Sequence, residues 1–503
     1  MLLVDPSKFK TNPFKHQIEG VEYLVNHLYG GLLDDMGMGK SKQLVDTACV
    51  LWEAQEVTDV VVACPAGVCT VWENLRIGEI AKHAWVNSVI NRWDSSSTTI
   101  IRKDSKLTWT IVSYECLRKE GNVWRLIAAL KGRKVMIIAD ESIRLKGHKS
   151  QQTVGALMLR RRACHRAYIA NGTPMGNSPL DLYCQMEFLS PSILRCDSFY
   201  QFRNRHAVMV SAVTKAGKKY GTIAGYQRLD ILKKQIAPHV IRRLKKFALD
   251  LPPKIYNKRE VPFDEASWRR YCEMRDQSIT WLEDKDAVVA RQAIVKLIRL
   301  RQLTCGFVSG LDSGTIAETS REKMDAVIDW VDDVVEQEPT GAIIIWSFFR
   351  FEQDRYYAEL KKKGYRVVRV HGGQNKDERE AAVESFNLDN EDKEPDKPII
   401  LLGNQQAGGL GLNLTRSHNV AYSSNDYNLV NRLQSEDRVD RHGQTVSPNI
   451  FDFLVTGPKG QRTLDHIVFA ALKKKEDLAN YTTSDWVREL KNDEPFDFDN
   501  LAF

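Results

Sequence analysis

Short runs of apolar, mostly β-branched residues recur along this chain, separated by stretches of helical length. In the first half they are GGLLDD, DVVVAC, WTIVSYE, VMIIAD and RAYIANG; in the second, AIIIWS, YRVVRV, PIILLG, NVAYS and IFDFLV. Runs without alternating polar positions suit strands buried on both faces, as in a parallel sheet covered by crossover helices. Two such series predict an α/β fold of two tandem parallel-sheet domains. Between them, residues 178–335 break the rhythm and read as mainly helical. LPPK (251–254) is the expected hinge, because paired prolines end helices and stiffen a connection. The reading is a first domain over 1–250 with a basic helical insertion at about 178–250. A second domain follows over 251–475, with a helical segment at about 264–335. A C-terminal helix and acidic tail occupy 476–503.

Composition enters as a limit on partners. Of 503 residues, 43% are hydrophobic and 27% charged, enough apolar material for two cores. Nine cysteines show no CxxC pairs and no Cys/His spacing suited to zinc. The apolar N-terminal run is too short for a signal peptide, and no run approaches the roughly 20 residues of a membrane span. A soluble, cytoplasmic monomer is the expectation. The net charge of +7 is mild, but residues 195–260 hold 16 Lys/Arg against 4 Asp/Glu. Such an excess is either a solvated face or a phosphate-backbone contact surface. The ending NDEPFDFDNLAF (492–503) pairs acids with phenylalanines. It reads as a disordered solvating tail or as a docking peptide for a protein partner.

LLDDMGMGKSKQ (32–43) carries the strongest chemical signal. A glycine-bearing loop between strand and helix lets backbone N–H groups close around phosphates at a helix N-terminus. Lys40 would reach the β- and γ-phosphates, and the Ser41 hydroxyl would ligate magnesium. The usual pattern has a glycine where this chain has Asp34, so a chance loop stays open on these residues alone. VMIIADESIRLKGHKS (135–150) answers that doubt. A buried strand ending in Asp140 and Glu141 supplies one carboxylate for the metal and one to activate the attacking water. The basic residues after it, Arg144 and Lys146 among them, are DNA contacts or solvated loop charges.

The second series has its own pair of signals. QAGGLGLNLT (406–415) places glycines after a strand, where a backbone must approach something closely. LQSEDRVDRHGQ (433–444) sets Arg438 and Arg441 on one face if helical. Arginines from a second domain, aimed at a nucleotide on the first, would act as fingers on the transferring phosphate and make hydrolysis depend on closure.

Taken in order, PFKHQIEGVEYL, LLDDMGMGKS, VVACPAGVCTVWENL, IVSYE, ANGTPMGNSPLDLY, IIIWSFF, HGGQNKDEREAAVESFN, AGGLGLNLT and QSEDRVDRHGQ resemble the motifs of Swi/Snf-type ATPases of helicase superfamily two. The likeness runs from about residue 12 to 475 and includes the acid at position 34. It implies two RecA-like domains and a DNA-dependent ATPase using ATP and magnesium. ATP would sit on Gln17, Met36, Gly37, Met38, Gly39, Lys40 and Ser41, with Asp140 and Glu141. Gly411, Gln434, Arg438 and Arg441 would close over it. Candidate DNA contacts are Ser113, Tyr114, Lys146, Thr173, Arg242, Arg243 and Lys245. FRNRHAVMV, GKKYGTIAGY and RLKKFALDLPPK look most like the branch of annealing helicases and fork remodellers. Ile143 departs from the family, which usually carries a histidine there, thought to couple hydrolysis to DNA contact. The favoured reading is an ATP-driven duplex-DNA translocase that remodels or anneals branched DNA in replication, recombination or repair. A dulled DNA-binding scaffold, a motor displacing proteins from DNA and a restriction or defence motor stay open. The short stretches outside the two series fit a bare motor of bacterial or phage source.

Overall fold

The chain was analysed as a computed structural model that describes residues 2–483, apart from 177, 214–218, 250, 283–286, 310–315, 388–396, 409–412 and 442. The first half of the chain forms β1 (Tyr29–Leu32), β2 (Asp59–Cys64), β3 (Ser88–Trp93), β4 (Leu107–Ser113), β5 (Val135–Asp140) and β6 (Arg166–Ala170). β7 (Ala207–Val213), β8 (Lys219–Tyr226) and β9 (Val240–Ile241) follow. Seven of these make one sheet in the order β3-β4-β2-β5-β6-β1-β9, with parallel pairing throughout. β2 is buried along its whole length, and β5 as far as Ala139. This explains the unbroken apolar runs: each fully buried Val, Ile or Leu contributes roughly 1.5–3 kcal/mol. In sheet order only β6 stands between β1 and β5, so the strands bearing the glycine loop and the acid pair end one strand apart. Helices α1 (Lys15–Val25), α2 (Lys40–Glu53) and α3 (Cys69–Glu73) flank those ends.

The basic insertion is less helical than its spacing predicts. β7 and β8 form a two-stranded sheet in its middle, where Val208, Val210, Tyr220, Thr222 and Ile223 favour an extended chain. The helical reading of DILKKQIAPHVIRRLKKFAL breaks after a short helix, Leu229–Ile236. Pro238 cannot donate to a continuing helix, and Val240 and Ile241 pair instead with Gly31 and Leu32 of β1. The edge strand β3 is absent from the apolar series, because an edge strand needs no two fully buried faces.

The second half forms β10 (Ile255–Pro262), β11 (Phe307–Ser309), β12 (Ile316–Glu318), β13 (Ala342–Trp346), β14 (Arg366–Val370), β15 (Ile399–Gly403), β16 (Asn419–Tyr422) and β17 (Asn449–Thr456). Six build a parallel sheet in the order β10-β17-β16-β13-β15-β14, and β11 and β12 make a small ribbon. The edge strand β10, IYNKREVP, carries charge toward solvent and so escapes the apolar pattern. Helices Glu265–Leu282, Ala287–Thr304 and Glu322–Gln337 lie between β10 and β13, with the ribbon β11–β12 among them. Among the described residues the chain divides into two compact units, one holding 2–208, 224–248 and 477–483, the other 209–223 and 249–476. Among the described residues no helix is long and apolar enough to cross a membrane. The ending at 492–503 lies outside the described residues.

Candidate active site

Between β1 and α2 the chain turns through Gly37 and Gly39, both left-handed, with φ of +80° and +71°. At Gly39 the space is closed as well: a Cβ there would lie 2.3 Å from Gln17 Nε2. Gln17 is held against the loop, donating to the Met38 carbonyl (3.2 Å) and accepting from Phe14 N–H (3.1 Å). Met36 and Met38 of the loop are buried. The Lys40 ammonium folds back onto the carbonyls of Asp34 (2.7 Å) and Asp35 (2.9 Å). Burial lowers its pKa, against the pull of Asp34, Glu141, Asp35 and Asp140. A desolvated ammonium at a helix N-terminus, inside a loop of backbone N–H groups, is suited to a polyphosphate.

Asp34, standing where a glycine is usual, is fully buried, and Arg243 holds it. The guanidinium meets Asp34 at both oxygens, Nη2 to Oδ2 at 2.6 Å and Nε to Oδ1 at 3.0 Å. Arg243 also donates to Gln43 Oε1 (3.0 Å) and to the His16 carbonyl. Arg242 donates to the Leu33 carbonyl (3.1 Å), and the Lys245 backbone N–H donates to Asp35 (2.9 Å). Arg242, Arg243 and Lys245 are three of the residues expected to contact DNA. Arg242 and Lys245 have buried side chains, Arg243 is committed to Asp34, and all three lie against the loop. Breaking a buried pair by removing one partner costs roughly 3–5 kcal/mol. Arg243→Ala should therefore cut the opening free energy of β1 and α2 amides by about that amount, read by hydrogen exchange. Adding Asp34→Asn should return part of it; unchanged protection in the single variant would show that Asp34 needs no partner.

At the end of β5, Trp72 of α3 donates its Nε1 proton to Asp140 Oδ2 (2.8 Å), and the Tyr114 hydroxyl donates to the Asp140 carbonyl (2.8 Å). Burial, with the neighbouring charge of Glu141, pushes the Asp140 carboxyl up to about 7. Glu141 is left-handed at φ +49°, a conformation costing about 1–2 kcal/mol outside glycine. Its N–H is tied to Asp140 Oδ1 (3.0 Å). Two crowded carboxylates facing a buried ammonium fit a divalent cation with a triphosphate. Among the described residues no group of three or more His, Cys, Asp or Glu could hold a metal. The protein's share of magnesium would then be Asp140 and the Ser41 hydroxyl, with phosphates and water completing the shell.

Ser113, Tyr114 and Thr173 are buried; Tyr114 belongs to the acid site, and Lys146 is half-buried. Ile143 is buried in the short turn Ser142–Leu145. Beside it, Ser142 Oγ donates to Gln185 Oε1 (2.7 Å), and Gln185 Nε2 donates to the Pro174 carbonyl (2.7 Å). The acid turn is thus tied through one buried amide to the loop bearing Thr173.

In the second unit, Gln434 lies on the helix Leu429–Glu436, and Arg438 and Arg441 follow it. Arg438 is buried, and its carbonyl accepts from Leu414 N–H (3.0 Å). Arg441 is half-buried and donates Nε to the Asp437 carbonyl (3.0 Å). Gly411 lies outside the described residues. Sequence reasoning missed Arg432, which grips Asp452 at both oxygens (2.6 and 2.9 Å) beneath this segment. It also missed Trp72 and the Asp34–Arg243 pair, whose partners lie far apart in the chain.

Loop, helix N-terminus and acid-ended strand together define a P-loop nucleoside triphosphatase, here followed by a second parallel-sheet unit. A model of the SNF2-related domain matches residues 16–306, and one of the helicase conserved C-terminal domain matches 322–443. The chain belongs to the SNF2-related family and carries both parts of its tandem RecA-like ATPase core. It is 25% identical to TATA-binding protein-associated factor MOT1 of Saccharomyces cerevisiae, over 95% of this chain and 28% of that protein. An uncharacterized ATP-dependent helicase of Mycoplasma genitalium is 23% identical, over 95% of this chain and 43% of the helicase. The SWI/SNF-related matrix-associated actin-dependent regulator of chromatin subfamily A-like protein 1 of Xenopus tropicalis is 25% identical, over 93% and 45%. The chain spans less than half the length of these relatives. A solved Sulfolobus solfataricus SWI2/SNF2 ATPase core in complex with dsDNA aligns at 22% identity and TM-score 0.43, over 98% of this chain and 97% of that one.

Proposed function

We propose that this chain is a DNA-dependent ATPase that tracks along duplex DNA and remodels or anneals branched DNA in replication, recombination or repair. The convergence of Lys40, Asp140 and Glu141 at the ends of two strands of one sheet, β1 and β5, carries the ATPase reading. Lys40 and the loop N–H groups bind the phosphates, Glu141 takes the proton of the attacking water, and Trp72 and Tyr114 hold Asp140 in place. Magnesium, when bound with the triphosphate, supplies charge neutralisation across the β- and γ-phosphates. Arg438 and Arg441 serve the charge that develops on the transferring group.

A polyanion partner is supported by the surface that follows the acid turn. Tyr200 is 46% exposed, with Lys149 Nζ 5.4 Å and the Arg203 guanidinium 5.3 Å from its ring. Arg144 is exposed nearby in sequence, which favours the nucleic-acid reading of the basic residues after the acid pair. ATPase rates with duplex, single-stranded, forked and four-way-junction DNA and with RNA should rank duplex-containing DNA first. Binding to duplex should weaken with a log–log salt slope of about −0.9 per phosphate contacted. Equal rates with RNA and with no nucleic acid would remove DNA from the reading.

A further inference from the structure

The segment bearing the two arginines is also strongly acidic. Glu436, Asp437 and Asp440 alternate with Arg438 and Arg441 over six residues of QSEDRVDRHGQ. Their carboxylates converge on one ammonium. Lys254 Nζ lies 3.2 Å from Glu436 Oε2, 3.5 Å from Asp437 Oδ1 and 3.6 Å from Asp440 Oδ2. Tyr256 adds its hydroxyl to Glu436 (2.8 Å), and Arg432 takes the other Glu436 oxygen (2.7 Å).

Lys254 closes the LPPK segment. Pro252 and Pro253 fix their own φ and stiffen its approach, and β10 begins at the next residue, with Ile255 in register with Asn449 of β17. The ammonium therefore stands on a rigid base, while the acids it gathers lie at the end of the helix Leu429–Glu436 and just beyond. Burial alone would pull this ammonium's pKa down, yet the carboxylates of Asp437, Glu436 and Asp440 carry it well above its ordinary value. The lysine stays charged, with three carboxylates at close range.

We propose that Lys254 is a positioning residue that pins the acidic side of residues 436–440 to the start of β10, so that Arg438 and Arg441 keep the orientation from which they serve the phosphate. The inference rests on the proposed role of those arginines. It gives the proline-stiffened connection a direct tie to the arginines, because any displacement of Lys254 is felt by three residues interleaved with them. Without the ammonium, the three carboxylates lose the cation they share, and their mutual repulsion favours a shift of the segment.

The test is steady-state hydrolysis by the full chain with saturating duplex DNA, together with equilibrium binding of a fluorescent ATP analogue. Lys254→Met should lower kcat about 100-fold, the effect of a small misplacement at a reacting centre, while affinity for the analogue is kept. Lys254→Arg should return most of the rate, and Asp440→Asn added to Lys254→Met should return part, since one charge fewer then needs a partner. Wild-type kcat in Lys254→Met would overturn the proposal. So would a loss of rate that neither Lys254→Arg nor the added Asp440→Asn relieves, including one caused by failure to fold. Arg441→Ala, measured alongside, separates the two ideas. If it hydrolyses ATP normally, the role of the arginines fails; if it collapses while Lys254→Met does not, the role of Lys254 fails.

Discussion

Glu141→Gln is expected to reduce DNA-stimulated ATP hydrolysis to the level of a protein-free blank, with nucleotide binding retained. A positioned general base contributes typically 10²–10⁴-fold, and the amide keeps the size of the carboxylate while losing its affinity for a proton. The neighbouring residue makes the split between binding and rate sharp. After burial, the Glu141 charge is the largest influence holding the Asp140 carboxyl up at about 7. Removing that charge lets Asp140 ionise more readily at neutral pH, so its share of magnesium binding is kept or improved. The loss should therefore appear in kcat, with affinity for an ATP analogue in the presence of magnesium unchanged or higher. Lys40→Ala is the contrasting variant. Its ammonium lies inside the loop, so hydrolysis and triphosphate affinity should fall together. Wild-type turnover in Glu141→Gln would sink the assignment of the acid pair.

The second large effect is expected at Arg441. Of the two arginines it is the half-buried one, whereas Arg438 is enclosed and its backbone is bonded to Leu414. An arginine that meets the transferring phosphate is worth about 10³-fold or more in kcat. Arg441→Ala should approach that figure, and Arg441→Lys should recover little, because an ammonium cannot reproduce a planar fork. Nucleotide affinity should survive in both, since the loop that binds the phosphates belongs to the other sheet. Single-turnover hydrolysis separates the two quantities. A loss of affinity with the chemical step intact would make Arg441 a ground-state contact.

The apolar runs located the central strands of both sheets because parallel strands buried on two faces leave an unbroken signature. β3 and β10 left none: their burial is partial and their charges face water. The phosphate loop and the acid pair were legible for a similar reason, since each is contiguous and constrained by short-range chemistry. What escaped notice were pairings over long separations. Trp72 reads as an ordinary aromatic until Asp140 is found 2.8 Å away across 68 residues. Arg243 reads as one more cation in a basic stretch, and only the fold reveals a carboxylate waiting for it. Glu141 in the left-handed region has no sequence signal either, because glutamate has no preference for it. Helical spacing misled at Pro238, where one missing N–H outweighed the periodicity around it.

The bond between Asp34 and Arg243 also has a history in time. Its partners are 209 residues apart, and chains are made at roughly 5–20 residues per second. For about 10–40 s after the glycine loop is made, Asp34 has no Arg243 to meet. A carboxylate cannot settle in an apolar interior on those terms, so the loop must wait in water, its phosphate pocket unfinished. The central strands of the sheet can gather earlier, but the nucleotide site is completed only by the basic stretch that follows them. During synthesis the Asp34–Arg243 pair thus closes only after the chain has been made as far as Arg243.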